Sequence, residues 1–179
     1  MDVDEAMRQR ASIRSYSGEK PSDSDIRALL EMAVQAPSAG NTQEWRFVVV
    51  KKKENLARLA EAYAINRKWQ FDVPAAIVVL ADMEAIEKRF GERGVALYAA
   101  QDTAAAIENI MLAATGRGLA TCWIGAFNEQ AVKNAIAAPE KLRPMAIVTV
   151  GYAKERPAKP ARRPLSEIAF SETYGNGLK

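Results

Sequence analysis

Apolar residues recur at helical spacing through Ile26, Leu29, Leu30 and Ala33, with Ser22 placed to cap a helix and Pro37 to stop it. Asp2 and Glu5, three positions apart, give a capping-box signature for a shorter helix that ends near Arg10. The period then changes. WRFVVVKK is rich in β-formers and too short for an independent helix, so a strand is expected over 45–52. Helical spacing returns over 54–66 through Leu56, Leu59, Ala60 and Tyr63. AAIVVLAD, after Pro74, is apolar without alternation, as in a central strand covered on both faces. The longest helix is expected over 95–116, where Ile107, Ile110, Met111 and Ala114 form one stripe and Gly116 and Gly118 close it. TCWIGAF reads as a third strand, Asn128 as a helix cap and MAIVTVGYA as a fourth strand. EIAFSETYG is expected to add a fifth strand at an edge, in this chain or on a partner.

Strands alternate with helices, but strand content is too low for an all-parallel sheet, so the fold class expected is α+β. The 179 residues suit one domain, which at this size buries roughly 70% of its unfolded surface without disulfide or metal. ERPAKPARRP, with three prolines and four basic residues, cannot pack a core of its own. Residues 154–179 are therefore expected to drape over the surface or embrace a second subunit.

Composition removes several classes of function. Apolar residues make up 49% and charged ones 26%, an ordinary globular balance. The net charge of +3 comes from 25 basic and 22 acidic residues, and no basic face interleaved with aromatics points to nucleic acid. Lys51, Lys52 and Lys53, the one dense basic run, fall where a strand leaves the core and read as a solvated turn. MDVDEAMRQR lacks the apolar segment of a secretory signal, and no apolar run approaches the ~18 residues of a membrane helix. A cytoplasmic protein without membrane contact is expected. Cys122 is the sole cysteine and there is no histidine, which removes thiolate clusters, histidine metal sites and Ser-His-Asp or Cys-His nucleophiles together. Any chemistry then rests on a bound cofactor that the protein positions and tunes.

Two stretches carry the polar groups for such a site. In RASIR, an extended chain turns Arg10, Ser12 and Arg14 to one side, where they can converge on an anion or serve only as solvated charges. In APSAGNTQEW, residues 36–45, Pro37, Gly40 and Asn41 are ordinary connector residues. Ser38, Asn41, Thr42 and Gln43 beside Trp45 add hydrogen-bonding groups next to a large ring, so the stretch is either a helix stop or one wall of a site for a flat polar ligand. Trp45 is read as a core anchor and Cys122 as a small buried apolar residue. TGRGLATCWIG has glycines after a helix rather than a strand, so a dinucleotide-binding domain is not supported.

Together these stretches resemble the nitroreductase family of flavin mononucleotide (FMN) enzymes. The likeness runs in order through RQRASIRSYSGEKP, APSAGNTQEWRFVVV, AIENIMLAATGRGLATCWIGAF, RPMAIVTVGY and RRPLSEI. It implies an α+β fold with a central mixed sheet flanked by helices, and an intertwined homodimer whose two chains jointly build each FMN site. It implies that Arg10 and Ser12 lie near the phosphate and ribityl chain and that Arg14 approaches the pyrimidine edge, where a cation stabilises negative charge on the reduced ring. Pro37, Ser38, Asn41 and Gln43 would border the flavin or substrate from the partner subunit. The backbone of Trp123, Ile124 and Gly125 would lie against the ring system, with glycine permitting close approach. Arg163 matches the phosphate-binding basic residue of the tail, with Arg162 beside it as the other candidate. Two positions depart from the pattern. Glu44 stands where proline is common, and Ala11, counted with the cofactor contacts, stands where some members carry a larger polar side chain. The activity implied is hydride transfer from NADPH or NADH through FMN to a small-molecule acceptor such as a nitroaromatic or quinone, by a ping-pong cycle. A flavin-binding protein without turnover, or a dehalogenating or flavin-fragmenting relative of the same fold, is the alternative.

Overall fold

A computed structural model describes residues 1–63 and 72–178. Asp2 caps α1 (Val3–Gln9) by accepting from the Glu5 amide at 2.8 Å. Ser22 and Asp25 close a reciprocal capping box on α2 (Asp23–Ala33). A 3-10 turn (Ala39–Asn41) leads into β1 (Trp45–Val50), followed by α3 (Lys53–Glu61). The last residues of the helix expected over 54–66 fall outside the described residues. Of the basic run, Lys51 leaves β1 and pairs with Asp23 at 2.6 Å, while Lys52 and Lys53 begin α3. Then come β2 (Ala75–Asp82), α4 (Met83–Arg93), a π turn (Gly94–Tyr98), α5 (Ala99–Gly116), β3 (Ala120–Ile124), α6 (Glu129–Ile136), β4 (Leu142–Gly151) and α7 (Leu165–Ile168). The helix expected from residue 95 thus begins with π geometry. Asn128 accepts from the Ala131 amide at 2.9 Å, as expected of the α6 cap.

The strands lie in the order β1-β2-β4-β3, and every neighbouring pair is antiparallel. The expected mixed sheet is corrected here: its parallel component among the described residues is a single bridge between Ser12 and Thr121. Within this chain EIAFSETYG forms no strand among the described residues: Glu167 and Ile168 end the short helix α7, and Phe170 makes one bridge with Gly177.

Helices cover both sheet faces. On one, Ile77, Val79, Ala146, Val148 and Trp45 pack against Ile26 and Leu29 of α2 and Ile107, Ile110 and Met111 of α5. On the other, Val78, Leu80, Ile124 and Ile147 meet Leu59 of α3 and Val132 of α6. β2 has a helical layer on each side and is buried at every position, which is why its sequence is apolar without alternation. Where β4 ends, a Cβ on Gly151 would stand 2.4 Å from Pro74 Cγ and 2.8 Å from Tyr16 Cδ1, so only glycine fits there. The tail from residue 154 to residue 168 is exposed throughout.

Candidate cofactor site

The RASIR segment runs beside the outer edge of β3. Its register is set by the Ser12–Thr121 bridge and by the Ile13 amide donating to the Thr121 carbonyl at 2.8 Å. Alternation follows from the extended chain. Ile13 is buried with Tyr16 and Ala120, and Ala11 packs against the same cluster. Arg10, Ser12 and Arg14 fall on the opposite side. Ala11 therefore serves the core through its side chain. Arg10 also reaches Glu108 of α5, at 3.8 Å.

Beneath the two arginines lies Cys122. Burial pushes its thiol upward, and the charges of Arg14 and Arg10 oppose that shift, which places both guanidinium groups within electrostatic reach of β3. Cys122 behaves as the buried small residue expected of it. Trp123 is 37% exposed and Ile124 is buried. A Cβ on Gly125 would meet only the Trp123 indole nitrogen, at 3.9 Å, so the backbone there is open to close approach by a flat group. Two forked cations, a hydroxyl, an exposed indole and an open glycine thus share one edge of the sheet.

The second wall is the loop between α2 and β1. It is held in an uncommon shape: Gly40, Asn41 and Gln43 all have positive φ, at 51°, 58° and 50°. Local bonds fix that shape. The Gln43 amide donates to Ser38 Oγ at 3.0 Å, Gln43 Nε2 donates to Asn41 Oδ1 at 3.0 Å, and the Thr42 hydroxyl donates to the Ala39 carbonyl at 2.7 Å. From α5, Asp102 accepts the Ala39 amide at 2.8 Å, and from α4, Arg89 reaches Thr42 at 3.4 Å. Pro37, Asn41 and Gln43 are exposed and Ser38 is half-buried, so the loop presents its polar groups outward. Strain of this kind persists only where the surroundings over-determine it, and it gathers at functional sites.

A Gly40→Ala substitution would set a Cβ 2.7 Å from Arg89 Nη2 and 2.9 Å from Phe90 Cζ, at a φ that L side chains resist. It should cost ~1–2 kcal/mol, a fall in melting temperature of roughly 2–8 °C. An unaltered melting curve would show that the loop does not hold this conformation.

Among the described residues no hydrogen bond or ion pair joins this loop to the arginine edge within one chain. Arg162 and Arg163 join neither. Both are exposed in the tail, and Arg163 makes an ion pair with Glu167 at 3.5 Å. Glu44, in place of proline, is fully buried with no hydrogen-bond partner at either oxygen. Burial first, and then the nearby Asp102 carboxyl, push the Glu44 carboxyl up to about 7. Asp102 itself was hidden from sequence reasoning, since it reads as one polar residue in an alanine-rich helix. Trp45, beside Glu44, is buried in the core as expected.

Helices on both faces of an antiparallel sheet, an arginine-lined sheet edge and a polar loop with positive φ define a three-layer α+β protein. The sequence model of the Nitroreductase family matches residues 7–67 and 61–152, and the chain belongs to that family. An Archaeoglobus fulgidus protein provisionally named NADH dehydrogenase/NAD(P)H nitroreductase is 36% identical over 150 residues, covering 82% of each chain. The FMN reductase [NAD(P)H] of Bacillus subtilis is 27% identical over 189 residues, covering 98% of this chain and 75% of that one. The crystal structure of a nitroreductase family protein from Clostridium difficile 630 superimposes with a TM-score of 0.82 at 31% identity, over 97% of this chain and 99% of that one.

Proposed function

We propose that this chain is an FMN-dependent oxidoreductase that takes a hydride from NADPH or NADH and passes it, in a ping-pong cycle, to an electron-poor acceptor such as a nitroaromatic or a quinone. The observation that carries this reading is the alternation of Arg10, Ser12 and Arg14 along β3, next to the open backbone at Gly125. The donor set fits the cofactor. A guanidinium fork and a hydroxyl suit a phosphate and a ribityl chain, and an unobstructed backbone beside an indole suits a planar ring. The name of the Bacillus subtilis relative, FMN reductase [NAD(P)H], supports the same choice of cofactor and reductant.

Bound FMN supplies the group that accepts and returns the hydride. The chain supplies binding and electrostatics. Arg10 and Ser12 hold the phosphate end, and Arg14 sets a positive charge where negative charge arrives on reduction. With no histidine in the sequence, no imidazole acid or base takes part, and solvent supplies the protons an acceptor needs. Ser38, Asn41 and Gln43 complete the pocket from the other subunit of a homodimer. That no hydrogen bond or ion pair joins them to Arg10 or Arg14 within one chain, among the described residues, supports that arrangement. So does the exposed tail, where Leu165 is 69% and Ile168 52% accessible. The same tail brings Arg162 or Arg163 to the phosphate. Among the described residues no helix is long and apolar enough to cross a membrane.

The deciding experiment is a visible absorption spectrum of the purified protein before and after anaerobic NADPH or NADH. Flavin bands that bleach support the oxidoreductase. Bands that persist favour a flavin-binding protein without turnover, and a protein that neither contains nor takes up FMN ends the assignment. Within this scheme, Arg14→Ala should lower the bound flavin's midpoint potential by about 20 mV for each ~1 kcal/mol of lost charge stabilisation, with a smaller change in cofactor affinity. A redox titration that returns the original potential would remove Arg14 from that role.

A further inference from the structure

Glu44 is the one buried polar side chain among the described residues that has no hydrogen-bond partner at its oxygens. It sits directly behind the strained loop. Asp102, 7% exposed, lies against it and at the same time anchors that loop by accepting the Ala39 amide at 2.8 Å. We propose that Glu44 and Asp102 share a single proton, and that this proton holds residues 37–43 in the shape that presents Ser38, Asn41 and Gln43 to the cofactor. The assignment rests on reading that loop as a wall of the FMN site.

Two ionised carboxylates in this setting would lack any donor between them and would repel each other far more strongly than in water. One proton removes both faults. A protonated carboxyl gains a donor, and an O–H···O⁻ bond to its neighbour is among the stronger hydrogen bonds. Other charges around the pair come from every element packed there. Arg46 of β1 attracts Glu44 but also binds the Trp45 carbonyl at 2.8 Å and Asp82 at 3.4 Å. Asp82, at the end of β2, donates its amide to the Glu44 carbonyl at 2.9 Å and pairs its carboxylate with Lys141 at 3.8 Å. Arg89 of α4 is turned to Thr42. These cations are engaged elsewhere and leave the pair to the proton.

The Glu44 carboxyl is raised, so the proton is held below about neutral pH and lost as pH rises through about 7. Loss of the proton sets a second negative charge beneath the turn. Trp45 is fixed in the core on one side of Glu44, so the chain yields on the other side, at Gln43 and the turn tied to Asp102. Cofactor affinity and loop order therefore fall together above neutrality.

The test compares the wild-type protein with Glu44→Gln, titrating FMN by fluorescence from pH ~6 to pH ~9. Relative to Glu44→Gln, wild-type affinity should fall as pH rises, by up to ~10-fold per pH unit at the steepest. The second ionisation of the FMN phosphate, near pH ~6, is common to both proteins and cancels in the comparison. Parallel profiles overturn the proposal. Independently of FMN, the infrared spectrum of the apo protein at neutral pH should show a protonated carboxyl band that titrates away on raising the pH. Its absence also overturns the proposal, even if Glu44→Gln fails to fold. If wild-type protein binds no FMN at any pH, the cofactor-wall reading falls. Amide exchange over residues 37–43, faster at high pH in wild type than in Glu44→Gln, then supports the shared proton, and equal exchange overturns it.

Discussion

An Arg10→Ala chain should bind FMN roughly 10- to 100-fold more weakly than the wild type, the loss expected when one charge-assisted hydrogen bond of ~1.5–3 kcal/mol is removed. The side chain is well placed for the role. It leaves α1 at its C-terminal cap, on the face of an extended segment whose other side is buried, and only 18% of it is accessible. Its present partner, Glu108, is 3.8 Å away and half exposed, so the pair adds little to the fold and its loss should leave the melting curve almost unchanged. Equilibrium dialysis separates the two effects. Wild-type affinity in Arg10→Ala would move the phosphate contact to the tail, where Arg162 and Arg163 are the remaining candidates.

The second large effect concerns the core. Ile110 of α5 is fully buried among Leu29, Ile107 and the sheet face that carries Val148. Ile110→Ala should cost about 2–5 kcal/mol, since the helix is clamped between α2 and the sheet and cannot collapse onto the void. That is a large part of the ~5–15 kcal/mol by which folded domains usually exceed their unfolded state. Urea denaturation of the apo protein should show a lower midpoint with an unchanged slope. A loss below about 1 kcal/mol would mean that α5 moves inward to fill the space, against the packing described.

Much of this architecture can be read from local signals because local physics dictates it. The Ser22 and Asn128 caps, the unbroken apolar run of β2 and the alternation of Arg10, Ser12 and Arg14 each depend on residues within a few positions. Strand direction does not. WRFVVV and AAIVVLAD would look the same in parallel or antiparallel partners, so the all-antiparallel sheet emerged only from the register. The tail is hard to read for a related reason: EIAFSETYG has strand-like composition, yet a strand there needs a neighbouring edge, and within this chain Leu165–Ile168 forms a short helix instead. The Glu44–Asp102 pair was hidden because it joins residues far apart in the chain. The one signal available was an acidic residue at the entrance of a mostly apolar strand.

The central strand pairing also has a consequence for biosynthesis. β2 and β4 join Ala75 to Val150 and Asp82 to Leu142, so the middle of the sheet is closed by residues that leave the ribosome long after β2. Until then β2 has β1 as its only strand partner, and its other apolar edge, left unpaired, is the kind of edge that templates pairing with other chains. The interval between the translation of Asp82 and that of Gly151 is therefore the one in which the sheet centre lacks its final partner.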